Sequence, residues 1–241
     1  AILTLSNHSP FNLPDPLPFA RIRSGDAMEG RYNTMRYADW ALGEFFRRAS
    51  REAYFGNTLF VLTGDHGFGT PPAITGMQLE KFHVPLLFYA PQLLPEKGVR
   101  RPTVASQVDI GPSVLGLLGL DLPHQGWGRN LFWPSLADSG FAVVKPSGGA
   151  EEVALVEGEF LVMRTAREKP RLYRFTLDFP PVSEQLAEPE RLQAMNRRLQ
   201  AYVETGLLAL RERKVGLPGE ASHPAAAAAG WTGTAAAATV H

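Results

Sequence analysis

Thr58-Leu-Phe-Val-Leu-Thr-Gly-Asp-His-Gly67 decides the reading of this chain. Residues 58 to 63 are rich in β-branched and aromatic types, the composition of a buried parallel strand. Gly64 and Gly67 then free the backbone to turn sharply. The pattern puts Asp65 and His66 at the carboxyl end of a strand, where open α/β sheets place their ligand sites. A hard carboxylate beside an imidazole is a partial shell for a divalent cation of the zinc or manganese type. An Asp in a turn with an incidental His after it fits the same stretch equally, and both readings stand at this point.

Upstream, residues 26–54 are helical in pattern. Met35, Ala38, Leu42, Phe45, Phe46 and Ala49 recur at spacings of three and four, with Arg36, Glu44, Arg47 and Arg48 elsewhere. Helix then strand reads as the second half of a βαβ unit. Tyr32, Tyr37 and Trp40 on this helix read as packing residues. Earlier still, the prolines at 10, 14, 16 and 18 make an irregular loop, and Ala1-Ile-Leu-Thr-Leu5 reads as a strand in mid-course without an initiator Met. The expectation is a fragment of a longer chain whose earlier half is missing.

Downstream, residues 68–79 are loop-like and Val84-Pro-Leu-Leu-Phe-Tyr-Ala90 is a second apolar strand. Asp109 caps an expected helix through Leu118, with Ile110, Val114, Leu117 and Leu118 on its buried side. Past Phe141 the pattern changes. Residues 153–156, 160–163 and 172–175 are short strands joined by tight turns, a small antiparallel meander. Pro189 opens a last helix with Leu192, Met195, Leu199, Tyr202 and Val203 as its inward stripe. Residues 216–241 are Ala, Gly, Pro and Thr with little to bury, and read as a disordered tail.

Composition removes several classes. The balance of 24 basic against 24 acidic residues argues against non-specific nucleic-acid binding. There is no cysteine, hence no disulfide framework and no thiolate ligand or nucleophile. No apolar run approaches the roughly 20 residues that span a bilayer.

The remaining histidines differ in promise. His8, in Ser6-Asn-His-Ser-Pro10, follows the first expected strand and emerges beside Asp65 and His66 if the two strands are parallel. His83 immediately precedes the strand at Val84, which assigns it to the opposite end unless the preceding loop folds over. Lys81 and His83 remain candidates to approach the site from that loop. His124 reads as structural or rim, and His223 and His241 belong to the tail.

Three ordered segments carry a family resemblance. They are Thr4-Leu-Ser-Asn-His-Ser-Pro-Phe11, Tyr37-Ala-Asp-Trp-Ala-Leu-Gly-Glu-Phe45 continuing into residues 58–67, and Val104-Ala-Ser-Gln-Val-Asp-Ile-Gly-Pro-Ser-Val-Leu115. Together they resemble the lipoteichoic-acid-synthase type of phosphoglycerol transferase, in the alkaline-phosphatase and sulfatase superfamily. Leu172-Tyr-Arg-Phe-Thr-Leu-Asp178 is similar to a segment that closes many such domains, although Phe179 stands before the proline. The resemblance covers about residues 1–213 and implies a three-layer α/β sandwich, incomplete for want of its N-terminal part. The expected organisation is a catalytic-domain portion over 1–140, an antiparallel β plus helix subdomain over 141–215, and the tail over 216–241.

The resemblance also implies chemistry. In such enzymes a Glu, a nucleophilic Thr at a helix start and an Asp-His pair hold a divalent metal, and the Thr attacks a phospholipid head group. Asp65 and His66 match the metal ligands, His8 matches a His that contacts the substrate phosphate, and Asp109 matches a helix cap. Mn2+ is the expected cofactor, with Zn2+ the alternative, because His66 supplies nitrogen where sulfatases of this fold use Asp and Asn around Ca2+. The Glu and Thr are expected upstream of Ala1, so the 241 residues alone are expected to be inactive. The alternatives are a sulfatase, a phosphoethanolamine transferase, or a non-catalytic envelope domain binding a lipid or a partner. A second-metal hydrolase would require further ligands, for which His83 is the candidate. The resemblance further implies a membrane tether in the parent protein and a place on the extracytoplasmic face of the inner membrane, in the periplasm.

Overall fold

The computed structural model describes residues 1–68, 77–94, 98–120, 122–132, 139–146, 151–177 and 182–215. The loop at 69–76, Asp178 with Phe179, and the stretch 216–241 lie outside the described residues. The chain divides into two compact units, Ala1–Thr63 with Leu86–Gly98, and Gly64–Pro85 with Val99–His241.

The first unit is built on helix α1, Glu29–Ala49. Its entry is set by Asp26, whose Oδ1 accepts the Met28 N–H at 2.8 Å, and Arg47 and Arg48 face the negative end of the helix dipole. Strand β1, Phe60–Thr63, and strand β2, Leu86–Tyr89, form a two-stranded sheet. Phe46 of α1 meets Phe60 at 5.2 Å and Tyr89 at 5.5 Å between ring centroids, edge to face. Such aromatic pairs each contribute about 0.5–1.5 kcal/mol beyond their burial.

Three expectations fail in this unit. The strand before Asp65 is not parallel: β1 pairs with β2 antiparallel, with Thr63 opposite Leu86. An apolar run satisfies either pairing, because composition records burial and not direction. Residues 1–5 form no strand, and Ile2, Leu3 and Leu5 are exposed. An extended segment gains no ladder hydrogen bonds until another strand lies beside it. Along α1, Ala49 is buried and Ala38 and Phe46 are half-buried, but Met35, Leu42 and Phe45 are exposed.

The second unit contains a five-stranded antiparallel sheet in sequential order: β3 (Ala142–Val144), β4 (Val153–Glu157), β5 (Phe160–Arg164), β6 (Arg171–Thr176) and β7 (Val182–Leu186). The expected meander is its centre, and β3 and β7 extend it on either side. Alternation along β4 and β5 sends Leu155 and Val162 to one face and Ala154, Val156, Leu161 and Met163 to the other. Helix α3, Pro189–Arg211, covers the first face with Met195 and Leu199, as its stripe predicted.

Helix α2, Ile110–Leu117, follows a 3-10 turn over Gln107–Asp109. The side expected to be buried is only half right, since Leu118 is exposed. The tightly packed positions are instead small. Ser113 is fully buried, and a Cβ on Gly116 would lie 2.0 Å from the Asn130 side chain. Residues 129–131 approach through a face that carries too little apolar surface for hydrophobic periodicity to reveal it.

Candidate metal centre

The Asp65–His66 loop leaves β1 through Gly64 and is held on two sides. The Gly67 N–H donates to the Lys81 carbonyl at 2.7 Å, and a Cβ on Gly64 would meet the Val84 side chain at 3.1 Å. Residues 64–67 and 81–84 therefore run alongside each other. This corrects the expectation for His83, which was assigned to the far end of its strand. In an antiparallel pair the start of one strand lies beside the end of the other, so the segments carrying Asp65 and His83 are neighbours. His83 and Lys81 are exposed.

On the second side, the Gln107 carboxamide donates to the Gly64 carbonyl at 2.7 Å and to the Asp65 carbonyl at 3.2 Å. Gln107 was not singled out as a site residue from sequence. The signal available was its place in Ser-Gln-Val-Asp-Ile, two residues before the helix cap.

The donor geometry of the pair is specific. Asp65 Oδ1 accepts the His66 backbone N–H at 2.9 Å. His66 Nδ1 lies 3.0 Å from the Gly67 carbonyl, which can only accept, so in the neutral ring the tautomer that satisfies this contact has its proton on Nδ1 and its lone pair on Nε2. That is how metal-binding histidines are usually oriented, with the far nitrogen donating to a carbonyl or carboxylate. Nε2 stands 3.8 Å from Asp65 Oδ2, and the two side chains are 67% and 72% exposed. Two metal bonds of about 2.0–2.2 Å span at most ~4.4 Å, so both atoms fit a common ion. Among the described residues no group of three or more His, Cys, Asp or Glu side chains is placed to hold a metal. Asp65 and His66 stand as a pair of candidate donors.

His8 belongs to the first unit, and Asp65, His66 and His83 belong to the second. The exposed His8 ring bonds locally, with Nδ1 2.7 Å from the Ser9 carbonyl. His124 accepts the Gly126 N–H at 3.2 Å in its own loop, a structural role. Tyr37 and Trp40 pack ring against ring at 5.7 Å.

Asp109 is the opposite kind of carboxylate. It is 2% exposed and its Oδ2 accepts the Ser106 N–H at 2.8 Å, closing a capping box. Oδ1 accepts the Arg129 N–H at 2.7 Å, and the Arg129 guanidinium reaches Oδ2 at 3.3 Å. That guanidinium also donates to the carbonyls of Val104 and Phe141 and stacks on the Phe141 ring at 4.7 Å. Nearby, burial and then the Asp109 charge raise the Tyr202 hydroxyl above its ordinary pKa of 10.0. Asp109 is structural, but it makes no side-chain cap bond to α2: Ser106 caps the 3-10 turn and Asp109 reaches back to it as the third residue of the capping box, which corrects the expected cap.

Comparison with known proteins fixes the family. The sulfatase family model matches residues 1–120. This chain belongs to the sulfatase family, in the alkaline phosphatase superfamily. It is 27% identical over 146 residues to lipoteichoic acid synthase 1 of Bacillus subtilis, covering 54% of this chain and 22% of that protein. It is 31% identical over 137 residues to arylsulfatase K of Xenopus laevis, covering 54% of this chain and 24% of the relative. A crystal structure of an alkaline phosphatase superfamily protein from Vibrio parahaemolyticus superposes with a TM-score of 0.71 at 24% identity, over 89% of this chain and 49% of that one. The sulfatase-family chain thus spans under a quarter of these curated relatives and about half of that solved structure. The superfamily is typically metal-dependent, and the fold here combines helices with antiparallel sheet. Among the described residues no helix is long and apolar enough to cross a membrane.

Proposed function

We propose that this chain supplies one corner of the metal site of a phosphoryl-group transferase or hydrolase that acts on phospholipid head groups, in the manner of a phosphoglycerol transferase. The observation that carries the proposal is the Asp65–His66 geometry: Nδ1 is committed to the Gly67 carbonyl, and Nε2 faces Asp65 Oδ2 at 3.8 Å. Asp65 and His66 would hold the ion, with Mn2+ favoured and Zn2+ the alternative for a mixed oxygen and nitrogen donor set. When bound, such an ion makes an attacking hydroxyl more acidic and neutralises charge on the phosphoryl oxygens. The Gly67 carbonyl keeps the His66 ring in one tautomer. His8 would contact the substrate phosphate. Because its Nδ1 proton is committed to the Ser9 carbonyl, Nε2 can donate to that phosphate only as imidazolium. His83, on the segment beside the Asp65 loop, is a second candidate for substrate contact.

The nucleophilic Thr and the remaining metal ligand are assigned to parts of the protein outside these 241 residues, in keeping with the share of its relatives that the chain spans. A membrane tether and an extracytoplasmic site of action belong to the same proposal, by analogy with lipoteichoic acid synthases. The similarity to arylsulfatase K favours a second reading, a sulfatase using the same metal corner.

The test compares a chromogenic phosphodiester with the matching aryl sulfate, each with Mn2+ or Zn2+ and the purified 241-residue chain. The expected result is no turnover of either, with weak Mn2+ binding that Asp65→Ala removes. Turnover that disappears with Asp65→Ala would show that no outside ligand is needed. Mn2+ binding unaffected by Asp65→Ala and by His66→Ala would overturn the metal corner itself. In a longer protein containing this chain, hydrolysis of the sulfate alone would select the second reading.

A further inference from the structure

We infer that Gln107 is a positioning residue for the Asp65–His66 pair. Its Nε2 donates to two consecutive carbonyls, Gly64 at 2.7 Å and Asp65 at 3.2 Å, which flank the Cα of Asp65. Fixing both peptide planes around one Cα fixes the direction in which that residue's side chain leaves the backbone. The Gly67 N–H bond to the Lys81 carbonyl holds the far end of the loop, while the Asp65 and His66 side chains are mostly exposed and their own hydrogen bonds are within the loop itself. A pair of donors depends on such a tether more than a closed site does, because in a closed site the ring of further ligands corrects the geometry.

Gln107 can act this way because its own backbone is held firmly. It opens the 3-10 turn Gln107–Asp109, which is pinned by the Ser106–Asp109 capping box and by the Asp109–Arg129 ion pair. Gly128 allows the close approach behind that turn, where a Cβ would lie 1.9 Å from the Val108 carbonyl oxygen. The stretch Ser106-Gln-Val-Asp-Ile110 therefore works on two sides. Asp109 locks the turn inward, and Gln107 reaches outward from it to the loop.

Only the ion-binding part of the test rests on the metal reading above. Gln107→Met keeps the length and neutrality of the side chain and removes its donors. In the full 241-residue chain, loss of two neutral hydrogen bonds is expected to speed amide exchange at His66 and Gly67 about tenfold, at an unchanged melting midpoint. Mn2+ broadening of the His66 ring protons is expected to need about tenfold more Mn2+, in line with the usual loss on removing a residue that orients a ligand. Gln107→Glu, equally long but facing the two carbonyls with a carboxylate, should show the same changes more strongly. Unchanged exchange at both amides in Gln107→Met would overturn the proposal, as would a lowered melting midpoint with Mn2+ broadening intact. If the unsubstituted chain shows no broadening, the metal reading fails and the exchange measurement still decides the role of Gln107.

Discussion

Two aspartates of the second unit, Asp65 and Asp109, occupy opposite physical states. Asp65 is 72% exposed and uses one oxygen on the next residue's N–H, leaving the other opposite His66 Nε2. Asp109 is buried, accepts two backbone N–H groups and pairs with Arg129. A carboxylate whose lone pairs are used inside the fold cannot bind an ion without dismantling what holds it, whereas one in solvent binds without that loss. The same contrast reaches Glu80, on the turn that packs against Gly67. Both of its carboxylate oxygens are buried, and neither finds a hydrogen-bond partner among the described residues. The Asp65 loop thus lies beside uncompensated polar burial, and the Asp109 turn within a compensated one.

The largest expected effect tests whether the two aspartates divide the work as described. Asp109→Ala removes a buried carboxylate that accepts the Ser106 and Arg129 backbone N–H groups and pairs with the Arg129 guanidinium, and should lower unfolding stability by about 3–5 kcal/mol in a denaturant titration. A loss below about 1 kcal/mol would mean that Arg129 finds other compensation and that Asp109 is dispensable to the fold. Next, Gly128→Ala forces the 128 backbone away from Val108 and should cost about 1–3 kcal/mol by the same assay. A neutral outcome there would show that the turn carrying Gln107 is less firmly held than its contacts indicate.

Asp65→Ala should change stability by no more than about 0.5 kcal/mol, as for an exposed side chain, while abolishing Mn2+ binding followed by electron paramagnetic resonance. Loss of stability comparable with Asp109→Ala would erase the contrast between them. The smallest effect concerns Tyr202, whose hydroxyl has a raised pKa in the folded state. The unfolded chain gives up this proton first, so the contribution of Tyr202 is fully present below pH 10.0 and is lost as pH climbs through the higher folded value. Melting midpoints compared across that alkaline range should fall less steeply for Tyr202→Phe than for the parent chain.

Much of this was legible in the residues. The meander and its covering helix follow from alternation over 153–156 and 160–163 and from the 3.6-residue stripe through Met195 and Leu199. Asp65 and His66 were found because a strand-like run ends there between two glycines, a local signal. Gln107 carries no comparable signal, since an exposed polar side chain looks the same in sequence whether it meets water or a carbonyl 42 residues away. His83 was assigned to the far strand end because an apolar run does not record whether it pairs parallel or antiparallel.

The sequence by itself therefore determined where the long helices and the central strands of the meander fall and which side of α3 is buried. Those properties depend on side-chain type and on spacings within about one turn or one pleat. Only the tertiary structure decided that β1 and β2 run antiparallel, that residues 81–84 lie beside 64–67, and that Ser106-Gln-Val-Asp-Ile110 joins a buried ion pair to the Asp65 loop. The first two depend on backbone hydrogen-bonding groups that nearly every residue shares, and the third on a side chain that meets carbonyls 42 and 43 residues away, so the choice of partner is written in the geometry of the folded chain.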